Sequence, residues 1–421
     1  MATTLKNVIV VGGSYVGKAT AQELARIIPS THRVLLIEPH SHFHHLFAFP
    51  RFAILPGHEH KAFIPYTNLF TSLLPPSENK TTNNTVIQAR VLSVHPHHIT
   101  LDRPWPESPT SSPQIPFDYL VLATGTRLTE PAGMRDNEKM ASVAYLQNHQ
   151  NDIKNAQSIL IAGGGAVGVQ MATDLKEVYP DKEVTVVQSR NVLMPQYHPA
   201  LHGLIKKRFD ELGINFITGS RIAVPETGFP TETPFEVQLT NGTTLPSKYD
   251  FVILATGQTP NTELLNSLPP STSTSSHSSP SAQPEESLLN PDNGFIRIRP
   301  TLQFQDKAYP HLFAVGDIAD TGLRKAARPG AVQAGVAARN INALIRGEDR
   351  DRPLEEFPRQ PAGIHLSLGL KYNVVFRNPD EAAGQTEPTI IERDDGRDDM
   401  GVEGWWERMG VKIHKPQQYH L

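Results

Sequence analysis

The 421-residue sequence contains no cysteine. That absence removes disulfides, thiolate metal sites, iron–sulfur clusters and every mechanism built on a catalytic thiol or redox dithiol. Long apolar runs are also lacking: none approaches the roughly 20 residues that cross a bilayer as a helix. The opening, MATTLKNVIVVGG, passes directly into an apolar strand pattern with no leader-peptide signature. Ala2 stands where N-myristoylation needs glycine. These features predict a cytoplasmic address, with peripheral contact at a mitochondrial or other membrane left open. No charge sign dominates either. The chain has 39 Lys+Arg against 43 Asp+Glu, a net charge of −4, so no general attraction to nucleic acid is expected. At roughly 150 residues per domain, the length predicts two or three domains.

What is present is an alternation of short β-branched runs with helical stretches. Val8–Val11, Val34–Ile37, Ile159–Ala162 and Val184–Val187 are about four residues each, bounded by glycine or charge. Such runs suit strands buried on both faces of a parallel sheet. Helical patterns over Lys18–Ile28 and Val169–Tyr179 lie between the members of each pair. A strand, glycine turn, helix and strand thus occur twice, which is duplication of a module. Residues 103–116 read as a long hairpin tip. Residues 267–294 are rich in Ser and Pro and read as a disordered solvent loop. From about residue 350 the runs Ile364–Leu370 and Tyr372–Phe376 predict a small C-terminal domain. It ends in a helix carrying Trp405 and Trp406, which pack in that domain or offer an apolar surface to a quinone tail or membrane edge.

Two glycine turns carry the chemistry. Val10–Gly17 (VVGGSYVG) follows a strand and opens a helix. Gly12 permits the tight turn and Gly17 close helix–strand packing; Ser14 holds the middle position, where the backbone approaches a pyrophosphate. The helix start offers free N–H groups and a positive dipole end. Glu38 closes the next strand, where a carboxylate accepts the hydroxyls of an adenosine ribose. Ile161–Gly168 (IAGGGAVG) is the strict form, with Gly163, Gly165 and Gly168. Its next strand ends Gln188-Ser189-Arg190, a hydroxyl and a guanidinium in place of an acid. A carboxylate there would repel a ribose 2′-phosphate, whereas Ser189 and Arg190 suit one. NADPH is therefore expected ahead of NADH.

Two further segments share one pattern, Asp118–Gly125 and Asp250–Gly257, each an apolar strand stopping at Ala-Thr-Gly. Gly125 and Gly257 allow sharp exits where the chain crosses between dinucleotide domains. A third, His311–Asp317, ends in Gly-Asp. Asp317 at a strand end is placed to bond a ribityl chain.

With these signals in order, the sequence resembles flavoproteins of the glutathione-reductase fold. It is most similar to the apoptosis-inducing-factor-like branch that includes the ferroptosis suppressor proteins. The stretches His42–His45, Gly163–Val187 and Ala314–Asp320 carry the likeness, which covers about residues 5–347. The resemblance implies an α/β chain with two Rossmann-like dinucleotide-binding domains and a small C-terminal α+β domain. The expected boundaries are 1–127 with 251–347 for FAD, 128–250 for NAD(P)H, and 348–421 for the tail.

By the same resemblance, Gly12, Ser14, Gly17, Glu38, Gly125 and Asp317 bind FAD. Gly163, Gly165, Gly168, Ser189, Arg190 and Gly257 bind NAD(P)H. Lys325 matches a family lysine beside the flavin, where an ammonium stabilises developing negative charge. Gln170 stands where relatives usually have Glu facing both rings. His44 or His45, with Arg51, are expected beside the flavin. Binding of a metal by the His40–His45 cluster is not expected.

The implied activity passes hydride from NAD(P)H to FAD and electrons onward to a quinone-type acceptor. Two rival readings are another flavoenzyme such as a monooxygenase, and a redox-sensing cell-death or interaction flavoprotein with little turnover. A homodimer stays open.

Overall fold

The computed structural model describes residues 5–74, 82–105, 107–108, 110–230, 232–271, 287–323, 325 and 327–421. The first β-branched runs form strands Lys6–Val11 and His32–Glu38, paired in parallel from Lys6↔His32 to Val11↔Ile37. Helix α1 (Tyr15–Ile27) connects them. Around this unit lies a five-stranded parallel sheet, ordered 312–314, 119–122, 6–11, 32–38, 85–88. Its central strands are buried on both faces. That explains their nearly unbroken apolar sequence.

The second module repeats the plan. Strands Ser158–Ala162 and Glu183–Val187 pair in parallel, joined by α4 (Ala166–Val178). Three more helices complete the frame before it and after it: α2 (Phe49–Phe52), α3 (Lys139–Asn155) and α5 (Pro199–Leu212). The four strands run in the order 215–217, 183–187, 158–162, 251–254. The fourth, Phe251–Leu254, pairs with 158–162 from Ile159↔Phe251. The expected boundary at 250/251 is therefore corrected: the strand before Ala-Thr-Gly257 completes the second sheet. The chain crosses back only after it.

The crossing itself is a two-stranded antiparallel link, Thr126–Leu128 with Gln258–Pro260. Thr124 Oγ1 donates to the Asn261 carbonyl and Asn261 Nδ2 to the Thr124 carbonyl, both at 2.9 Å. Each Ala-Thr-Gly segment thus ends at the same bridge. Gly125 and Gly257 have φ of +58° and +104°, the left-handed region that glycine enters without strain.

As expected for a hairpin over residues 103–116, strands His98–Leu101 and Gln114–Pro116 pair antiparallel; residues 106 and 109 of this stretch lie outside the described residues. The stretch 267–294 differs from expectation at both ends, while 272–286 lie outside the described residues. Leu268 and Leu288 are buried in the first module's core with Tyr309. Tyr309 Oη donates to the Pro269 carbonyl at 2.5 Å. Apolar anchors inside a polar stretch override its average composition.

The C-terminal region is also corrected. It contains a three-stranded antiparallel sheet, Gly363–Ser367, Asn373–Arg377 and Thr389–Arg393, and helix α7 (Glu403–Arg408), which follows the long α6 (Ala327–Arg346). Yet residues 348–421 have no core of their own. Leu366, Leu368, Val374 and Phe376 join the second module's core, whereas Val402, Trp406, Met409 and Val411 join the first's. Its apolar residues divide between the two cores, so the segment bridges the modules. Trp406 is fully buried, with Nε1 donating to the Lys61 carbonyl at 2.8 Å.

Candidate functional site

The first glycine turn is built by contact distances. Gly12 has φ +99°, and a Cβ there would lie 2.5 Å from the Ala123 carbonyl oxygen. A Cβ on Gly17 would lie 1.8 Å from the Gly12 carbonyl oxygen. Both sites exclude any side chain. Ser14 caps α1 in an extended conformation, and its hydroxyl makes no cap bond. The hydroxyl and the free N–H groups of the helix start therefore remain available to a phosphate.

Glu38 sits at this turn as expected. Its Oε2 accepts from the Gly13 N–H at 2.5 Å, and its Oε1 lies 2.5 Å from His40 Nδ1. Burial pushes the carboxyl up, but His40 and the N–H groups of His40 and Gly13 outweigh it. The net position is below the ordinary carboxylate range. Tyr66 donates to the Gly13 carbonyl at 2.9 Å. No local motif announces Tyr66, which reaches the turn from a distant strand end. An open cleft of about 720 Å³ adjoins this place, lined in part by His40, Tyr66 and Gln88.

Asp317 follows Gly316, whose φ is +75°. It is half-buried, burial raises its carboxyl, and no hydrogen bond engages it among the described residues. A half-buried acid that meets no donor among the described residues suits a hydroxyl-bearing chain. Lys325 lies near it. Its Nζ donates to the Ala319 carbonyl and stands 4.0 Å from the centre of the Phe295 ring, and burial lowers its pKa. The chemistry of these groups fits FAD: the turn from Gly12 through Ser14 to Gly17 is a cradle whose glycines carry no side-chain bulk, Gly125 follows the adjoining strand, and Glu38 and Asp317 offer carboxylate acceptors.

The two central residues of the histidine cluster have different surroundings. His44 is buried with Nε2 unpartnered, its ring tilted on His40 at 4.1 Å and edge-on to Phe63 at 5.1 Å. Burial holds it well below the usual histidine range, hence neutral. His45 is the histidine joined to the first turn: its Nδ1 lies 2.8 Å from Tyr15 Oη, at the start of α1. Burial lowers His45 to about 3. Tyr15 also stacks on Phe47 at 4.7 Å and meets Trp405 edge-on at 5.0 Å. Among the described residues no three His, Asp or Glu side chains are grouped to hold a metal ion.

Arg51 is corrected. It is 1% exposed, and its guanidinium is spent inside the protein. Nε and Nη2 bind Asp174 at 2.8 and 2.9 Å, and the remaining N–H groups reach the carbonyls of Gly369, Leu370 and Arg397. No donor is left for a cofactor.

The second turn repeats the first. A Cβ on Gly163 would lie 2.1 Å from the Ala255 carbonyl oxygen, and one on Gly168 would lie 1.8 Å from that of Gly163. Gly165 faces open space, as does Gly257. Gln188 turns its amide oxygen back onto the Gly164 N–H at 3.4 Å and the Ser189 N–H at 3.0 Å. Ser189 and Arg190 are exposed just beyond, and no partner engages the Arg190 guanidinium among the described residues. These groups fit a nicotinamide dinucleotide. Gln170, on α4, is nearly buried and points Nε2 at Asp174 Oδ2, 3.5 Å away. No hydrogen bond or ion pair joins it to Lys325 among the described residues.

Two parallel nucleotide modules joined by an antiparallel bridge, one turn closed by an acid and the other by an amide, define a two-dinucleotide flavoprotein. Residues 6–338 match the family described as Pyridine nucleotide-disulphide oxidoreductase, and the chain belongs to it. It is 33% identical to Fe-regulated protein 8 of Mycosarcoma maydis, over 96% of this chain and 95% of that one. It is 27% identical to Apoptosis-inducing factor homolog B of Dictyostelium discoideum, over 93% and 94%. Its fold is similar to that of the sulfide:quinone oxidoreductase of Aquifex aeolicus, with TM-score 0.70, 18% identity and coverage of 98% and 94%. The chain is an FAD-dependent NAD(P)H oxidoreductase of the apoptosis-inducing-factor-like branch. None of its residues is a cysteine, so it cannot perform the thiol chemistry in the family's name. Among the described residues no helix is long and apolar enough to cross a membrane.

Proposed function

We propose that the chain carries reducing equivalents from NADPH, in preference to NADH, to a quinone-type acceptor. The observation that supports this reading most is the absence of cysteine beside two complete nucleotide turns. Without a dithiol relay, electrons leave the flavin directly, and a planar two-electron acceptor suits that exit. Bound FAD supplies the two-electron chemistry; the protein supplies alignment and electrostatics.

Each residue has a task in this reading. Glu38 and Asp317 hold the hydroxyls of FAD, and the turn from Gly12 to Gly17 takes its pyrophosphate. Gly163, Gly165 and Gly168 admit the nucleotide backbone. Ser189 and Arg190 bind the 2′-phosphate, with no acid at Gln188 to repel it. The Lys325 ammonium lies where it offsets negative charge near Asp317. Gln170 contributes a neutral amide on α4.

The test is re-oxidation. The holoenzyme is reduced anaerobically with NADPH and mixed with a short-chain ubiquinone analogue or with oxygen. The reading predicts quinone re-oxidation at least tenfold faster than oxygen at equal concentration. Equal slow rates with both would favour the low-turnover interaction protein.

A further inference from the structure

Arg51 and Asp174 form a contact whose geometry exceeds what packing needs. Arg51 lies on α2, after the histidine cluster of the first module. Asp174 lies on α4, the helix that begins at the second glycine turn. Nε and Nη2 of Arg51 grip Oδ2 and Oδ1 at 2.8 and 2.9 Å, a fork that fixes orientation as well as distance. The other donors reach the carbonyls of Gly369 at 2.8 Å and Arg397 at 3.1 Å, in the C-terminal bridge. One guanidinium therefore ties three parts of the chain. Both side chains are essentially inaccessible, at 1% and 0%.

Both helices also carry residues of one apolar core: Phe49 and Phe52 from α2, Val169, Met171 and Leu175 from α4, joined there by Leu368 from the bridge. Buried ion pairs are weak evidence for stability, since apolar residues often replace them without loss. They do fix register. Gln170 lies one helical turn before Asp174, on the same face, with its amide turned toward Oδ2. Rotating α4 would move Gln170 and the turn at Gly165–Gly168 together.

We infer that Arg51 and Asp174 are a positioning pair. They set α4, and with it Gln170 and the second nucleotide turn, relative to the first module. This rests on the reductase reading above. Neither residue need touch a cofactor; they act through the helix. Misplacement by about 1 Å can cost on the order of 100-fold in rate when two reacting groups must meet in line.

The test compares Arg51→Lys, which keeps charge but loses the fork, with the near-isosteric Asp174→Asn, using FAD-loaded protein. The readouts are flavin content, thermal midpoint, NADPH affinity and the anaerobic rate of flavin reduction by NADPH deuterated at C4. The expected result is intact flavin content, NADPH affinity within about threefold, and reduction slowed roughly 30- to 100-fold with a larger isotope effect. Asp174→Glu, which keeps a carboxylate, should recover part of the rate. A lowered midpoint with an unchanged rate per flavin would overturn the inference, leaving a packing role only. If Arg51→Lys fails to fold, Asp174→Asn decides alone.

If wild-type flavin is not reduced by either nucleotide, the reductase reading fails, and hydrogen exchange of the holoprotein decides the pair's role. Loss of protection over 166–178 in Asp174→Asn, with the first sheet still protected, would support it. Unchanged protection would overturn it.

Discussion

Glu38 and Gln188 occupy the same place in the two halves of the molecule. Each closes the second strand of its module and turns a side-chain oxygen onto the N–H of a glycine in the turn, Gly13 at 2.5 Å and Gly164 at 3.4 Å. They differ in charge. The acid suits two ribose hydroxyls; the amide leaves room for a phosphate beside Ser189 and Arg190.

Nucleotide preference should follow that difference. Hydrogen bonds to charged groups contribute about 1.5–3 kcal/mol. Arg190→Ala should therefore cut kcat/KM for NADPH by roughly tenfold or more, since each 1.4 kcal/mol is a factor of ten, while NADH changes little. Gln188→Glu should move the ratio the same way by repulsion. Steady-state kinetics with both nucleotides check this. An unchanged ratio in both variants would remove the 2′-phosphate assignment.

Glu38→Gln tests the first turn. The amide keeps an acceptor for Gly13 but loses the charge that draws His40 to 2.5 Å. FAD affinity should fall roughly 10- to 100-fold, from losing about 1.5–3 kcal/mol of charge-assisted bonding. Flavin retained after exhaustive dialysis measures it. Full retention would place the ribose elsewhere.

Two glycines of one turn should respond oppositely. At Gly168 a methyl would lie 1.8 Å from a carbonyl oxygen, whereas at Gly165 nothing lies within 4 Å. Gly168→Ala should destabilise the fold by about 1–3 kcal/mol, which the roughly 1 kcal/mol helix preference of Ala over Gly does not offset. Gly165→Ala should leave the thermal midpoint alone and raise KM for NADPH, because its methyl occupies the approach of the pyrophosphate. Equal midpoints in the two variants would contradict the geometry.

Asp174 gives a pH signature. Burial raises its carboxyl to about 6, with Arg51 pulling the other way, against an ordinary value of 3.8. Between about pH 4 and 6 the folded chain thus binds a proton that the unfolded chain has released. This group's contribution therefore falls as pH rises through that window and levels off above it. Asp174→Asn should lack that fall. Denaturation of the holoenzyme and the variant from pH 4 to 7 shows it as a difference between two curves; parallel curves would contradict it.

The parts legible in the sequence are those whose physics is local. Gly12, Gly17, Gly163 and Gly168 are dictated by contacts inside one turn. Gln188 and Glu38 are read from the ends of adjacent strands. What escaped is settled by distant chain. Arg51 finds Asp174 across 123 residues, and nothing near Arg51 foretells an acid on another module's helix. Tyr66 reaches Gly13 without a motif. Residues 348–421 carry enough apolar runs to suggest a domain, but which core each run joins is decided by the two sheets already formed. Strand 251–254 was visible as a strand, yet its sheet depended on pairing with Ile159–Ala162.

The central claim is that hydride from NAD(P)H reaches the flavin in this chain. An anaerobic titration of the FAD-loaded protein with NADPH, and separately with NADH, followed at the flavin absorbance band near ~450 nm, tests it most directly, because the aligned turns leave the bound cofactors to do the chemistry. The account predicts stoichiometric bleaching, faster with NADPH. A flavin that stays oxidised with both nucleotides would contradict it.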